Sequence, residues 1–162
     1  MKNSLALEYA LHGALLLSAL PARKSVSLKQ LSRQLGISTT YLAKIFTQLA
    51  KAGIVTSSVG SKGGISLAKA PDDISFFDVY LAINGREHMF QCSNVRALSL
   101  GYQPSPGMCE IHAAMWEAEQ KMFEHMRGTK MSAIAAAVAS RFTPEEIGRH
   151  LAELAKLGEP EA

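Results

Sequence analysis

The sequence predicts a mainly α-helical chain with one small β-hairpin. Three observations predict it. Apolar residues recur at helical spacing in several stretches that open on Ser and stop at Gly or Pro. A Gly-rich turn joins two short runs suited to strands. A longer amphipathic stretch follows near residue 110, after a segment with no clear periodicity. With 162 residues, 48% of them hydrophobic and 19% charged, the chain is globular and has room for one compact domain with an attached dimerisation element.

The elements follow in order. Residues 4–20 read as a first helix, in which Leu5, Leu11 and Leu15 belong to a wide apolar stripe and Pro21 supplies the stop. Ser27 caps a second helix over 28–35, which ends at Gly36. Ser38 caps a third over 39–52, with Leu42, Ile45, Phe46 and Leu49 facing inward and Gly53 ending it. Residues 54–58 and 65–68 read as paired strands around the turn Val59-Gly60-Ser61-Lys62-Gly63-Gly64. Pro71-Asp72-Asp73 is a break, and Ser75 caps a helix over 76–84. The segment from Cys92 to Cys109, with Gly101, Pro104, Pro106 and Gly107, reads as a loop. A long helix over 110–127 carries Ile111, Met115, Ala118, Met122 and Met126 at helical spacing, a stripe suited to a dimer seam or to packing within one protomer. Thr143-Pro144-Glu145-Glu146 is a capping box that opens a last short helix.

Two short helices joined through Gly36-Ile37-Ser38, followed by a Gly-rich hairpin, form a winged helix-turn-helix pattern. The expected division is a winged helix-turn-helix over 1–70, a sensor loop and long dimerisation helix over 71–142, and a short helix and tail over 143–162. Charge supports nucleic-acid binding by the first part. The net charge is only +3, but the eight basic residues from Arg23 to Lys69 face no acidic residue before Ala70. The rest of the chain holds the other 9 basic residues and all 14 acidic ones. A basic block beside an acidic remainder is the footprint of a nucleic-acid binder, or else a solvated basic face, and the winged pattern makes double-stranded DNA the expected partner. Lys29, Ser38, Thr39, Thr40, Tyr41 and Lys44 are the expected contacts from the helices, and Ser61 and Lys62 those from the wing.

Other classes find little support. Glu8 and His12 interrupt the apolar N-terminal run, so it reads as a buried helix and not as a secretory leader, and no stretch is suited to spanning a membrane. Two cysteines are too few for a disulfide scaffold, which points to the cytoplasm. A thiol nucleophile at Cys109 with His112 as base has no accompanying oxyanion or substrate motif, and phosphate-loop and zinc-protease motifs are absent from the sequence. No enzyme and no small-molecule substrate is expected.

The runs Tyr41-Leu42-Ala43-Lys44-Ile45, Leu49-Ala50-Lys51-Ala52-Gly53-Ile54-Val55 and Gly63-Gly64-Ile65-Ser66-Leu67 resemble the IscR/NsrR family of bacterial iron–sulfur and redox-responsive regulators. The resemblance covers residues 1–131 and implies a homodimer with crossing long helices and winged domains in successive major grooves. Many members have arginine in the wing where this chain has Val59. The family's usual sensor has three loop cysteines, and only the outer two positions are filled here, by Cys92 and Cys109. The run Glu8-Tyr9-Ala10-Leu11-His12 resembles that of a member whose 2Fe–2S cluster is held by two cysteines of one subunit and by a glutamate and a histidine of the other. Carried over, Cys92 and Cys109 would bind one iron, and Glu8 and His12 of the second copy the other. His112 is the alternative histidine ligand. Glu8 and His12 lie four apart and so share a helix face, an arrangement equally suited to a surface pair. Imidazole in place of thiolate raises a cluster's reduction potential. A thiol switch through Cys92 and Cys109 is the alternative, since a loop of 16 intervening residues can close into a disulfide. A sensor of some small ligand, or no sensor at all, is the remaining reading.

Overall fold

A computed structural model describes residues 4–21, 24–58, 64–93 and 109–156. The elements run α1 (Ser4–Ser18), α2 (Leu28–Leu35), α3 (Thr39–Lys51), β1 (Val55–Ser58), β2 (Gly64–Leu67), a 3-10 turn (Pro71–Asp73), α4 (Phe76–Asn84), α5 (Glu110–Gly128), α6 (Met131–Ala139) and α7 (Pro144–Lys156). The fold is the expected mainly α chain with a two-stranded antiparallel wing.

Local chemistry sets the helix ends. The Ser27 hydroxyl accepts the Gln30 amide, and the Gln30 side chain accepts the Ser27 amide in return. Ser75 with Asp78 and Thr143 with Glu146 repeat this reciprocal cap. Gly36 closes α2 at φ 67°, in the left-handed region that glycine enters without strain.

The core gathers around α3, whose Leu42, Ile45, Phe46 and Leu49 are buried against α1, α4 and the wing. The expected leucine stripe of α1 is not its innermost face. Leu5 is 60% exposed and Leu11 and Leu15 are only half-buried, while Ala10, Gly13, Ala14 and Leu17 turn inward. Close helix crossing is the reason. A Cβ on Gly13 would stand 2.8 Å from Cζ of Phe46, so small residues line the seam and leucines flank it.

The helix α6, Met131–Ala139, is absent from the sequence expectation. Its sequence MSAIAAAVA has no polar face, so no amphipathic period announces it, and Lys130 gives no side-chain cap. Tertiary contacts start it instead. The Met131 amide donates to the Ile74 carbonyl at 2.9 Å, the Phe76 amide donates to the Thr129 carbonyl at 2.9 Å, and Met131 is fully buried. The chain leaving α5 is thereby stitched to the start of α4.

Candidate nucleic-acid interface and sensor residues

The reading head is α2, the turn at Gly36 and α3. Ser38 Oγ accepts the Tyr41 amide at 3.2 Å and so caps α3. Thr39 Oγ1 lies 2.9 Å from Oγ of Ser32, which is buried on α2. These two expected contacts therefore have structural work, fixing the start of α3 and its angle to α2. Thr40, Tyr41 and Lys44 are exposed on α3, and Lys29 is exposed on α2. Gln48 and Lys51 are also exposed on α3. Thr40, Lys44 and Gln48 recur every four residues and form one outward stripe. Gln48 is not in the sequence-based contact set, which passes from Lys44 to the wing residues Ser61 and Lys62, although its spacing from the buried Leu42, Ile45 and Leu49 marks it as outward-facing.

The wing is held close to this head. Its strands pair Val55 with Leu67 through Ser58 with Gly64. Val26, just before α2, adds a rung on the other edge of β2, because its amide and carbonyl exchange bonds with Ile65 at 3.0 and 2.8 Å. Gly64 makes that approach possible, since a Cβ there would stand 2.8 Å from the Val26 carbonyl oxygen. Ser61 and Lys62 lie outside the described residues.

Tyr9 of α1 meets Tyr41 of α3 with ring centroids 6.1 Å apart and planes at 89°. Glu8 and His12 are exposed on the same helix α1, one turn apart.

The cysteines sit at either end of the expected loop, and residues 94–108 between them lie outside the described residues. Cys92 is exposed and Cys109 half-buried, each as a free thiol. Cys109 is the N-cap of α5, where its Sγ accepts the His112 amide at 3.4 Å. The His112 ring packs on Phe90, with centroids 5.8 Å apart. Among the described residues, no three His, Cys, Asp or Glu side chains gather in one protomer. The donor set nevertheless suits a 2Fe–2S cluster in kind, with soft thiolates and an outward-facing carboxylate–imidazole pair. It suits one in number only if α1 comes from a second copy.

Sequence reasoning misses Glu119. It is 3% exposed, on the face of α5 that packs toward α4. Its carboxylate accepts Nδ1–H of His88 at 2.7 Å and the Met89 amide at 2.7 Å. Burial alone pushes this carboxyl up, but the bonds from His88 and Met89 outweigh it and hold the group below its ordinary value. Beside it, Tyr80 is raised, first by its own burial and then by the Glu119 charge. The segment that leads to Cys92 is thus clamped to the helix that begins at Cys109. The available signal is an acid at a helical interval from Met115, Met122, Phe123 and Met126.

Large apolar side chains remain uncovered near these groups. Ile111 is 69% exposed and Trp116 42% exposed, both in the first half of α5, and Met115 is exposed between them. No helix among the described residues is long and apolar enough to cross a membrane.

The profile of the Rrf2 family, described as an iron-dependent transcriptional regulator, matches residues 4–137. The chain is 33% identical over 147 residues to YwgB of Bacillus subtilis (strain 168), named as a helix-turn-helix-type transcriptional regulator, covering 91% of this chain and 92% of that one. It is 30% identical over 111 residues to the transcriptional regulator NsrR of Halalkalibacterium halodurans, covering 68% and 74%. Among solved structures, IscR of T. potens aligns with a TM-score of 0.65 at 22% identity, covering 88% of this chain and 92% of that one.

Proposed function

The chain belongs to the Rrf2 family of DNA-binding transcriptional regulators, and from that premise we propose that it is a cytoplasmic homodimer that reads DNA with α3 and the wing and senses redox state through a 2Fe–2S cluster. Cys92 and Cys109 of one protomer and Glu8 and His12 of the other are the ligands. The observation that carries this reading is the position of the uncovered groups. Ile111, Met115 and Trp116 stand beside the Cys109 end of α5, and Leu5 stands one turn from Glu8. A dimer contact that covers these apolar groups brings α1 of one copy to the cysteine loop of the other.

When bound, the cluster supplies a one-electron redox change at a site with mixed thiolate, carboxylate and imidazole ligands. The chain's own residues do the rest. Cys109, fixed as the α5 cap, and Cys92, on the strap held by Glu119, present the two sulfurs. Glu8 and His12 tie the partner's α1 to that site. Tyr9 transmits the position of α1 to Tyr41 on the reading helix. In this reading the molecule divides into the winged unit over 1–70, the sensor loop and dimerisation helix over 71–142, and the C-terminal segment over 143–162.

Anaerobic purification tests the cluster. The expected result is a coloured protein with iron and sulfide, whose visible absorbance is lost in Glu8→Ala and His12→Ala. Both variants keeping the wild-type spectrum would remove the ligand assignment, and persistence in His12→Ala with loss in His112→Ala would transfer it to His112. A colourless, iron-free protein favours the second reading, a thiol switch. That reading draws support from Cys92 and Cys109 both being free thiols, with Cys92 exposed.

A further inference from the structure

The last two helices border an open cleft that the sensor reading does not use. A cavity of about 510 Å3 opens between the C-terminal half of α1, the end of α2, α6 and α7. Its walls are apolar for a sequence reason. Ala135, Ala136 and Ala139 of α6 are too short to fill the gap to Leu15 and Leu16 of α1, and Ile147 and Leu151 of α7 form the third side. The first turn of α7 is set by the reciprocal Thr143–Glu146 cap. Phe142 closes one end, its ring 5.8 Å from that of His150 at 76°.

Polar groups are few and lie at the rim. Ser18 lines the space, but its hydroxyl donates to the Ala14 carbonyl at 2.8 Å. Gln34, two residues before the turn glycine Gly36, and His150 are exposed at the opening. His150 also faces the Glu153 carboxylate at 3.6 Å. Among the described residues, no buried side-chain N or O atom lacks a partner. A concave apolar space of this volume with one or two polar groups at its edge has the make-up of a small-molecule site.

We propose that this cavity binds a small apolar molecule whose single hydrogen-bonding end rests at the rim beside Gln34 and His150. The site is separate from Cys92, Cys109, Glu8 and His12, and it does not rest on the cluster. Because α2 supplies Gln34, an occupant touches the reading head itself. The α7 wall lies beyond residue 137, where the match to the family ends.

The test is fluorescence titration of the full chain with N-phenyl-1-naphthylamine, an apolar aromatic amine. The expected result is saturable binding of one probe per protomer, at least tenfold weaker in Ala136→Trp, whose indole intrudes into the space, with no fall in Tm. Leu151→Trp fills it from the opposite wall and replaces Ala136→Trp if that variant does not fold. Absence of saturable binding, or equal binding in wild type and the filled variants, overturns the proposal. A filled variant that changes from dimer to monomer on gel filtration also overturns it, because the space then belongs to a second copy.

Discussion

Tyr9 and Tyr41 touch edge to face, 6.1 Å between ring centroids, so the helix that carries Glu8 and His12 leans directly on the first turn of the reading helix. Such a pair contributes about 0.5–1.5 kcal/mol beyond its buried area. Tyr9→Ala is expected to lower Tm and to weaken DNA binding in a gel shift, although Tyr9 itself need touch no DNA. Tyr9→Phe should keep both. Unchanged DNA affinity in Tyr9→Ala would show that the contact only stabilises the fold.

The outward stripe of α3 separates two kinds of contact. Lys44→Ala should weaken binding to all sequences alike and reduce the slope of log affinity against log salt by about 1, as one fewer counterion is released. Thr40→Ala and Gln48→Ala should instead lose about 1–3 kcal/mol of discrimination between specific and mismatched sites. Thr39→Ala acts through Ser32 and is expected to lower stability as well as affinity, which thermal melting alongside the gel shift distinguishes.

Much of this reading head is legible in the sequence, because each part is announced locally. Ser27, Gly36, Ser38 and Gly53 bound the helices, and the buried positions of α3 follow a clean 3.6-residue period. What escapes the sequence is set by tertiary contact. The helix α6 has no polar face and no side-chain cap, and it begins where the Ile74 carbonyl accepts the Met131 amide. The inner face of α1 is made of Ala and Gly because Phe46 crosses so closely, which no periodicity of large residues reveals. Ser38 and Thr39 are correctly placed at the start of α3, but their hydroxyls are engaged within the fold by Tyr41 and Ser32. The proposed sensor residues Cys92, Cys109, Glu8 and His12 rest on family resemblance, since no three of them gather within one protomer.

Gly64→Ala should separate the wing from the body. The added Cβ would meet backbone at Val26, which cannot rotate away, so a loss of about 1–3 kcal/mol is expected in urea unfolding. DNA affinity should fall with it. A variant of wild-type stability would mean that the Val26–Ile65 rung is dispensable.

Glu119 makes stability depend on acid. Its folded carboxyl is held below the ordinary value of 4.5, so the ionised form stabilises the fold above that value, and the contribution is lost as pH falls through the lowered one. Glu119→Gln removes this dependence, and its deficit relative to wild type should shrink on acidification in urea unfolding series. Glu119→Ala, which leaves the Met89 amide without its acceptor, should cost about 1–3 kcal/mol at neutral pH. A constant gap across the pH series would show that the carboxylate charge is not what holds the strap.

The rung between Val26 and Ile65 also limits how a signal can be expressed. It ties the wing to the residue just before α2, and Ser32 with Thr39 ties α2 to α3, so wing and recognition helix are linked through α2. A stimulus therefore cannot easily reshape one reading head to prefer a different base sequence. In the proposed dimer, what it would alter is the separation and relative tilt of two such heads. The variable distinguishing the signalling states would then be the number of base pairs between operator half-sites, which DNA probes differing only in that spacing would measure.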